Sequence, residues 1–192
     1  MRTAVAALVL AALLASGCSN GSGAADAAGL TSLLLTDRAV AEVLPDLRPA
    51  TEGADGGDHA RLDPALLADG PLAGGEQAVV RQWAAPFSSD HDDPVVPMVI
   101  SVTSMVVAMP DGDAAQAGVE RLLDLVGAEG ARSVPHDRFE AALTPADDGG
   151  GVAAVGAAVA GDRVVTVQVD GAERIDPRSL TQILDRAADQ LP

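Results

Sequence analysis

The chain is short of the residues that many functions depend on. Its 192 residues contain one cysteine, Cys18, so no disulfide can form within it and any domain must be held by its core. Aromatic residues make up 2% of it: Trp83, Phe87 and Phe139, with no tyrosine. Lysine is absent, all 12 basic residues are arginine, and the formal net charge is −16. A chain so acidic is repelled by phosphate backbones and by anionic lipid surfaces. Without a basic patch or a stacking platform, nucleic-acid binding is excluded. Motifs are missing too. There is no Gly-x-Ser-x-Gly elbow, no His-Glu-x-x-His, and no Asp-x-Asp-x-Asp-Gly frame of a calcium loop.

What is present begins with an address. Met1-Arg2 gives a positive start, Ala4 to Leu14 is an unbroken apolar run, and Ala15, Ser16 and Gly17 are small. That order is an export signal. The apolar run falls well short of the roughly 20 residues that a membrane-spanning helix needs. Leu14-Ala15-Ser16-Gly17-Cys18 resembles the lipobox of bacterial lipoproteins, with Ala15 standing where leucine is commonest. The resemblance implies a signal peptide over residues 1–17, cleavage before Cys18, and a thioether-linked diacylglycerol on Cys18. Each buried methylene contributes about 0.8 kcal/mol and stable anchoring takes two chains, which a diacylglycerol supplies. Residues 18–29 then read as the lipidated cysteine and a Ser/Gly/Ala-rich tether with a reach of roughly 20 Å. The expected location is the outer face of the cytoplasmic membrane, or the medium if Cys18 carries no lipid. The Ala-, Gly-, Asp- and Arg-heavy composition points to a high-GC bacterium.

Residues 30–192 read as one α+β domain, long enough to build its own core. Thr36 caps a first helix in which Val40, Val43 and Leu44 form a stripe that Pro45 ends, with Leu35 and Val40 as a hydrophobic staple. Residues 50–75 are loop-like except for a short helix at 64–68, capped by Asp63 and started by Pro64. Gln77 to Ala84 predicts a strand. Met98 to Met109 predicts a central strand, with Ile100, Val102 and Val106 on one face and Met105 and Val107 on the other. A second helix starts at an Asp113 cap, carries Val119, Leu122, Leu123 and Val126 on one side, and ends at Gly127 and Gly130. A short strand is expected within 133–142. Residues 152–160 and 163–169 form a hairpin across Gly161-Asp162, with Val165, Val167 and Val169 facing the core. Asp176-Pro177 opens a last helix with the stripe Leu180, Ile183, Leu184, Ala187 and Leu191. The expectation is a single antiparallel sheet of four or five strands packed by about three helices.

Three stretches carry a resemblance to the extracellular sensor-type domains of mycobacterial lipoproteins and receptor Ser/Thr kinases. They are Leu33-Leu34-Leu35-Thr36, then Val102 to Leu123 with Met109-Pro110-Asp111 between strand and helix, and Gly161-Asp162-Arg163-Val164-Val165 before the last helix. Those domains usually carry paired cysteines, which this chain lacks. The resemblance implies ligand sensing or binding and assigns a role to no residue.

Candidate chemistry is sparse. Asp90, His91 and Asp92, within Ser88 to Asp93, are the weak candidates for holding a divalent cation, but a solvated acidic loop accounts better for the cluster and no metal is expected. His91 or His136 gathered with carboxylates would be needed for a hydrolase. Gly149 to Gly156 has the glycines of a dinucleotide loop but precedes a strand, where such a loop precedes a helix. Trp83 and Phe87 form either a binding patch or part of the core. The reading is a lipid-anchored, extracytoplasmic binding or sensor-type protein without catalytic activity or cofactor. Its partners would be the membrane, through Cys18, and an envelope protein or small ligand. The alternatives are a carrier of an apolar ligand such as a lipid, which needs an open cavity against the valine-rich sheet, and an envelope hydrolase. Cells fed a clickable fatty acid should label the full-length protein, and a Cys18→Ala variant should carry no label; equal labelling of the two would refute the anchor.

Overall fold

The computed structural model describes residues 29–50, 59–85, 100–128, 130–144, 153–172 and 175–192. Within them runs a single antiparallel sheet. Its strands are β1 (Arg48–Pro49), β2 (Ala60–Leu62), β3 (Gln77–Ala84), β4 (Ser101–Ala108), β5 (Arg132–Val134), β6 (Glu140–Leu143), β7 (Ala153–Ala160) and β8 (Arg163–Asp170). The spatial order is β1-β3-β4-β8-β7-β6-β5, and β2 pairs with the other end of the β3 edge. The described residues include α1 (Asp37–Val43), α2 (Gly112–Ala128) and α3 (Pro177–Ala188), residues 29–31 are helical as well, and a 3-10 turn spans Pro64–Leu67.

The expected class holds, but the sheet has eight strands where four or five were expected. The difference lies at its edges. β1 and β2 fall in the stretch 50–75 or just before it that reads as loop, and residues 132–143 hold two short strands in place of one. These strands are two to four residues long and poor in β-branched side chains. Pairing holds them in the sheet, and intrinsic preference does not announce them. The long strands stand where periodicity puts them: β3 spans 77–84, β4 is central between β3 and β8, and Gly161, at φ 65°, turns the β7–β8 hairpin.

Alternation gives the sheet two apolar faces. On the first, Val79, Trp83, Val102, Val106, Val165, Val167 and Val169 pack under α1, α3 and the arm around Leu30 to Leu35. On the second, Ala78, Val80, Met105, Val107, Ala157 and Val164 pack under α2 and the segment that carries Leu62, Leu67 and Leu72. The caps are local. Thr36 Oγ1 accepts from the Ala39 amide, and Asp176 Oδ1 accepts from the Arg178 amide with Pro177 in the first turn. At α2 the cap is Asp111, two positions earlier than the Asp113 expected: its Oδ1 accepts from the Ala114 amide at 2.8 Å. The acid that can reach back over the first free amides is the one just outside the helix, and Asp113 already lies within it. Glu42 ties α1 to α3, accepting from Arg38 at 2.9 Å and pairing with Arg186 at 3.1 Å.

The arm that enters this core is held at one residue. Leu35 is fully buried, so its backbone groups must be paired inside the protein. Its amide donates to Ser104 Oγ at 3.1 Å, and its carbonyl accepts from Arg81 Nη1 at 2.7 Å. Arg81 and Ser104 are direct cross-strand partners on β3 and β4. Ser104→Ala leaves the Leu35 amide buried and unpaired, a loss of about 1–3 kcal/mol. Urea denaturation should show that loss as a lower midpoint with an unchanged slope.

Candidate functional site

Several candidate residues lie outside the described residues: Cys18, the cluster Asp90, His91 and Asp92, and Phe87. Trp83 belongs to the core. It is 1% exposed, and its Nε1 donates to Asp37 Oδ1 at 2.9 Å. Of the glycine-rich stretch, the described residues 153–156 open a strand, as its sequence context indicated.

His136 was the described candidate for acid–base work, and its geometry is that of a fold residue. The side chain is 5% exposed. Nδ1 accepts from the amides of Arg138 and Phe139 at 3.2 and 3.1 Å, which fixes its lone pair inward. Nε2 is then the N–H, 3.2 Å from Asp185 Oδ1 on α3. The ring also stands edge-on to Phe139, and Arg138 donates to the carbonyls of Ala188 and Pro192 at the end of α3. With both ring nitrogens spent, this imidazole has no lone pair to offer a substrate.

The seam between the sheet and α3, where an apolar ligand would sit, is lined by Val167, Val169, Leu180 and Leu184 and is closed to a water molecule. An open cleft of about 600 Å³ lies where the arm meets β3, lined by Ser32, Thr36, Asp37, Arg38, His59 and Arg81 among others. Its central groups already serve the arm: Arg81 holds the Leu35 carbonyl, and Asp37 holds Trp83.

A different arrangement occupies the second face of the sheet. The apolar cluster there covers the half nearest the β7–β8 turn. Toward the far end the same face becomes polar on three neighbouring strands at once. Gln82, Thr103 and Gln168 stand side by side on β3, β4 and β8, and beyond them come Ala84, Ser101 and Asp170. Asp170 accepts from Ser101 Oγ at 2.8 Å and from Gln168 Nε2 at 2.7 Å, so both its oxygens are engaged. Thr103 is 3% exposed, and its hydroxyl has no hydrogen-bond partner. An unpaired buried hydroxyl costs on the order of 1–3 kcal/mol, and native structures hold few. Sequence reading passed over these residues. The signal was available as a polarity gradient within each strand: Ser101 and Thr103 before Met105 and Val107, and Val164 before Thr166, Gln168 and Asp170.

No protein-family model and no curated protein matches the chain. Among solved structures it is similar to the extracellular domain of PknH from Mycobacterium tuberculosis, at 17% sequence identity and a TM-score of 0.49, over 84% of this chain and 93% of that chain. No helix among the described residues is long and apolar enough to cross a membrane.

The His136 arrangement makes a prediction of its own. His136→Leu removes the acceptor of two amides and should cost about 1–3 kcal/mol. His136→Asn, whose side-chain oxygen can take the place of Nδ1, should recover part of that stability in the same denaturant titration.

Proposed function

We propose that this is a lipid-anchored, extracytoplasmic binding domain without catalytic activity, and that the polar end of the sheet is its binding face. The observation that carries the reading is the unpartnered, buried Thr103 hydroxyl among Gln82, Gln168, Ser101 and Asp170, on the part of the sheet face that lies beyond the apolar cluster.

The direction of the chain supports it. Gly29, where the described arm begins, lies against Arg163: a Cβ there would sit 3.5 Å from Nη2. Arg163 opens β8, and Asp170 closes the same strand. Seven residue steps at about 3.3 Å put the polar end roughly 23 Å from the root of the tether. A lipid on Cys18 would hold the turn end of the sheet toward the membrane and turn the polar end outward, toward water-soluble ligands. The closed apolar seam at α3 and the engaged nitrogens of His136 agree with binding in preference to lipid carriage or hydrolysis.

Display can be read directly. Lipidation of Cys18 consumes the natural thiol, so a Ser133→Cys variant would offer one free thiol, at an exposed position of β5. Intact cells should label this variant with a membrane-impermeant maleimide, and the protein should sediment with membranes. Labelling that requires lysis would refute outward display.

A further inference from the structure

The turn between β5 and β6 meets α3 through one imidazole, and the geometry of that contact ties it to protonation. We propose that His136 is an acid-sensitive clasp: uptake of a proton at Nδ1 releases the C-terminal half of α3 from the β5–β6 turn.

Histidine is the side chain that ordinarily changes charge between about pH 5 and 8. At this position the fold is built on the neutral ring. Nδ1 accepts from two amides, those of Arg138 at 3.2 Å and Phe139 at 3.1 Å. A proton on Nδ1 would set a third N–H against these two donors, so a charged ring cannot keep its place. Leaving that place has consequences, because the side chain is 5% exposed and stands edge-on to Phe139. Two amides lose their acceptor, and Asp185 loses the Nε2 donor that joins the turn to α3. Asp185 opposes the release, since a carboxylate 3.2 Å from Nε2 favours the charged ring. It is 62% exposed, however, and an ion pair open to water contributes little. The other charges nearby lie on the turn and on α3. Asp137 and Arg138 flank the ring in sequence, and Arg138 donates to the carbonyls of Ala188 and Pro192. Arg186 and Asp189 pair with each other at 3.6 Å. Among the described residues, Asp185 is the charged side chain bonded to the ring. The clasp also sits where the turn and the helix share a packing point. Phe139 and Leu184 converge on Gly156 of β7, where a Cβ would stand 3.3 Å from Phe139 Cδ1 and 2.6 Å from Leu184 Cδ2. A turn that rearranges around His136 therefore loosens the Arg138 contacts and the Phe139 packing along with the Asp185 bond.

The test uses the full-length protein in detergent micelles. Amide hydrogen exchange would be followed from about pH 7.5 to about pH 5, across the range in which histidine titrates. It would be expressed as protection factors, so that the intrinsic pH dependence of exchange is removed. On acidification the parent should lose protection by about tenfold or more at residues 138–141 and 185–188, the size of effect that a lost buried acceptor produces. Protection in β3 and β4 should hold over the same range. His136→Asn offers an oxygen to the same two amides and takes up no proton here, so it should keep its protection at the acid end. Asp185→Asn removes the carboxylate that favours the charged ring, so its loss of protection should begin at lower pH than in the parent. The clasp is refuted if the parent keeps its protection at about pH 5, or if His136→Asn loses it as the parent does. It is equally refuted if the loss extends evenly through β3 and β4, which is general acid unfolding, or if Asp185→Asn opens at the same or a higher pH than the parent.

Discussion

The architecture depends on how one backbone unit is satisfied. The arm before α1 crosses the first face of the sheet without joining its ladder, so Leu35 must find partners for its amide and carbonyl in the interior. Arg81 and Ser104, opposite each other on neighbouring strands, supply one each. A buried arginine is costly unless its donors are used and its charge is placed well. Here the guanidinium bonds a carbonyl and lies 6.0 Å from the centre of the Trp83 ring, and Trp83 in turn donates to Asp37 at the start of α1. The same few side chains therefore fix the arm, the entry into α1 and, through Glu42 and Arg186, the seating of α1 on α3.

The shortage of aromatic residues shapes the rest of the packing. A core of Val, Leu, Ile and Ala fills space by close approach of backbones in place of large rings. β7 shows how: it reads AAVGAAVA, and Gly156 leaves room for Leu184 of α3, whose Cδ2 would stand 2.6 Å from a Cβ at that position. Ala115, fully buried on α2, plays the corresponding part on the other face. Close approach of sheet and helix shuts the apolar seam beside α3.

What could be read from the sequence follows the length of each signal. β3, β4, the β7–β8 hairpin and α3 each have a long periodic pattern or explicit caps, and all stand where the pattern puts them. The edge strands β1, β2, β5 and β6 have neither. Ala60–Leu62 becomes a strand because Ala78 to Val80 of β3 are there to pair with it, a fact of tertiary structure. The polar row was hidden for a related reason. Gln82, Thr103 and Gln168 lie far apart in the chain, and only the registers of two strand pairs set them side by side. The cysteine address is of another kind: it is read from a contiguous stretch that lies outside the described residues.

The polarity gradient along β3, β4 and β8 is the strongest reason to regard the far end of the second face as built for contact. A sheet that only needed to fold would gain by continuing the apolar pattern of Val80, Met105 and Val164, or by exposing polar side chains freely to water. Thr103 does neither: it is buried, polar and unpaired, between two glutamines and behind a carboxylate that Ser101 and Gln168 hold in place. Valine has the shape of threonine without the hydroxyl, so the fold could have avoided this cost by one substitution. Departures from local consistency that a single conservative change would remove concentrate where a protein binds or reacts. Here the departure lies at the Asp170 end of β8, away from Arg163 and the neighbouring Gly29.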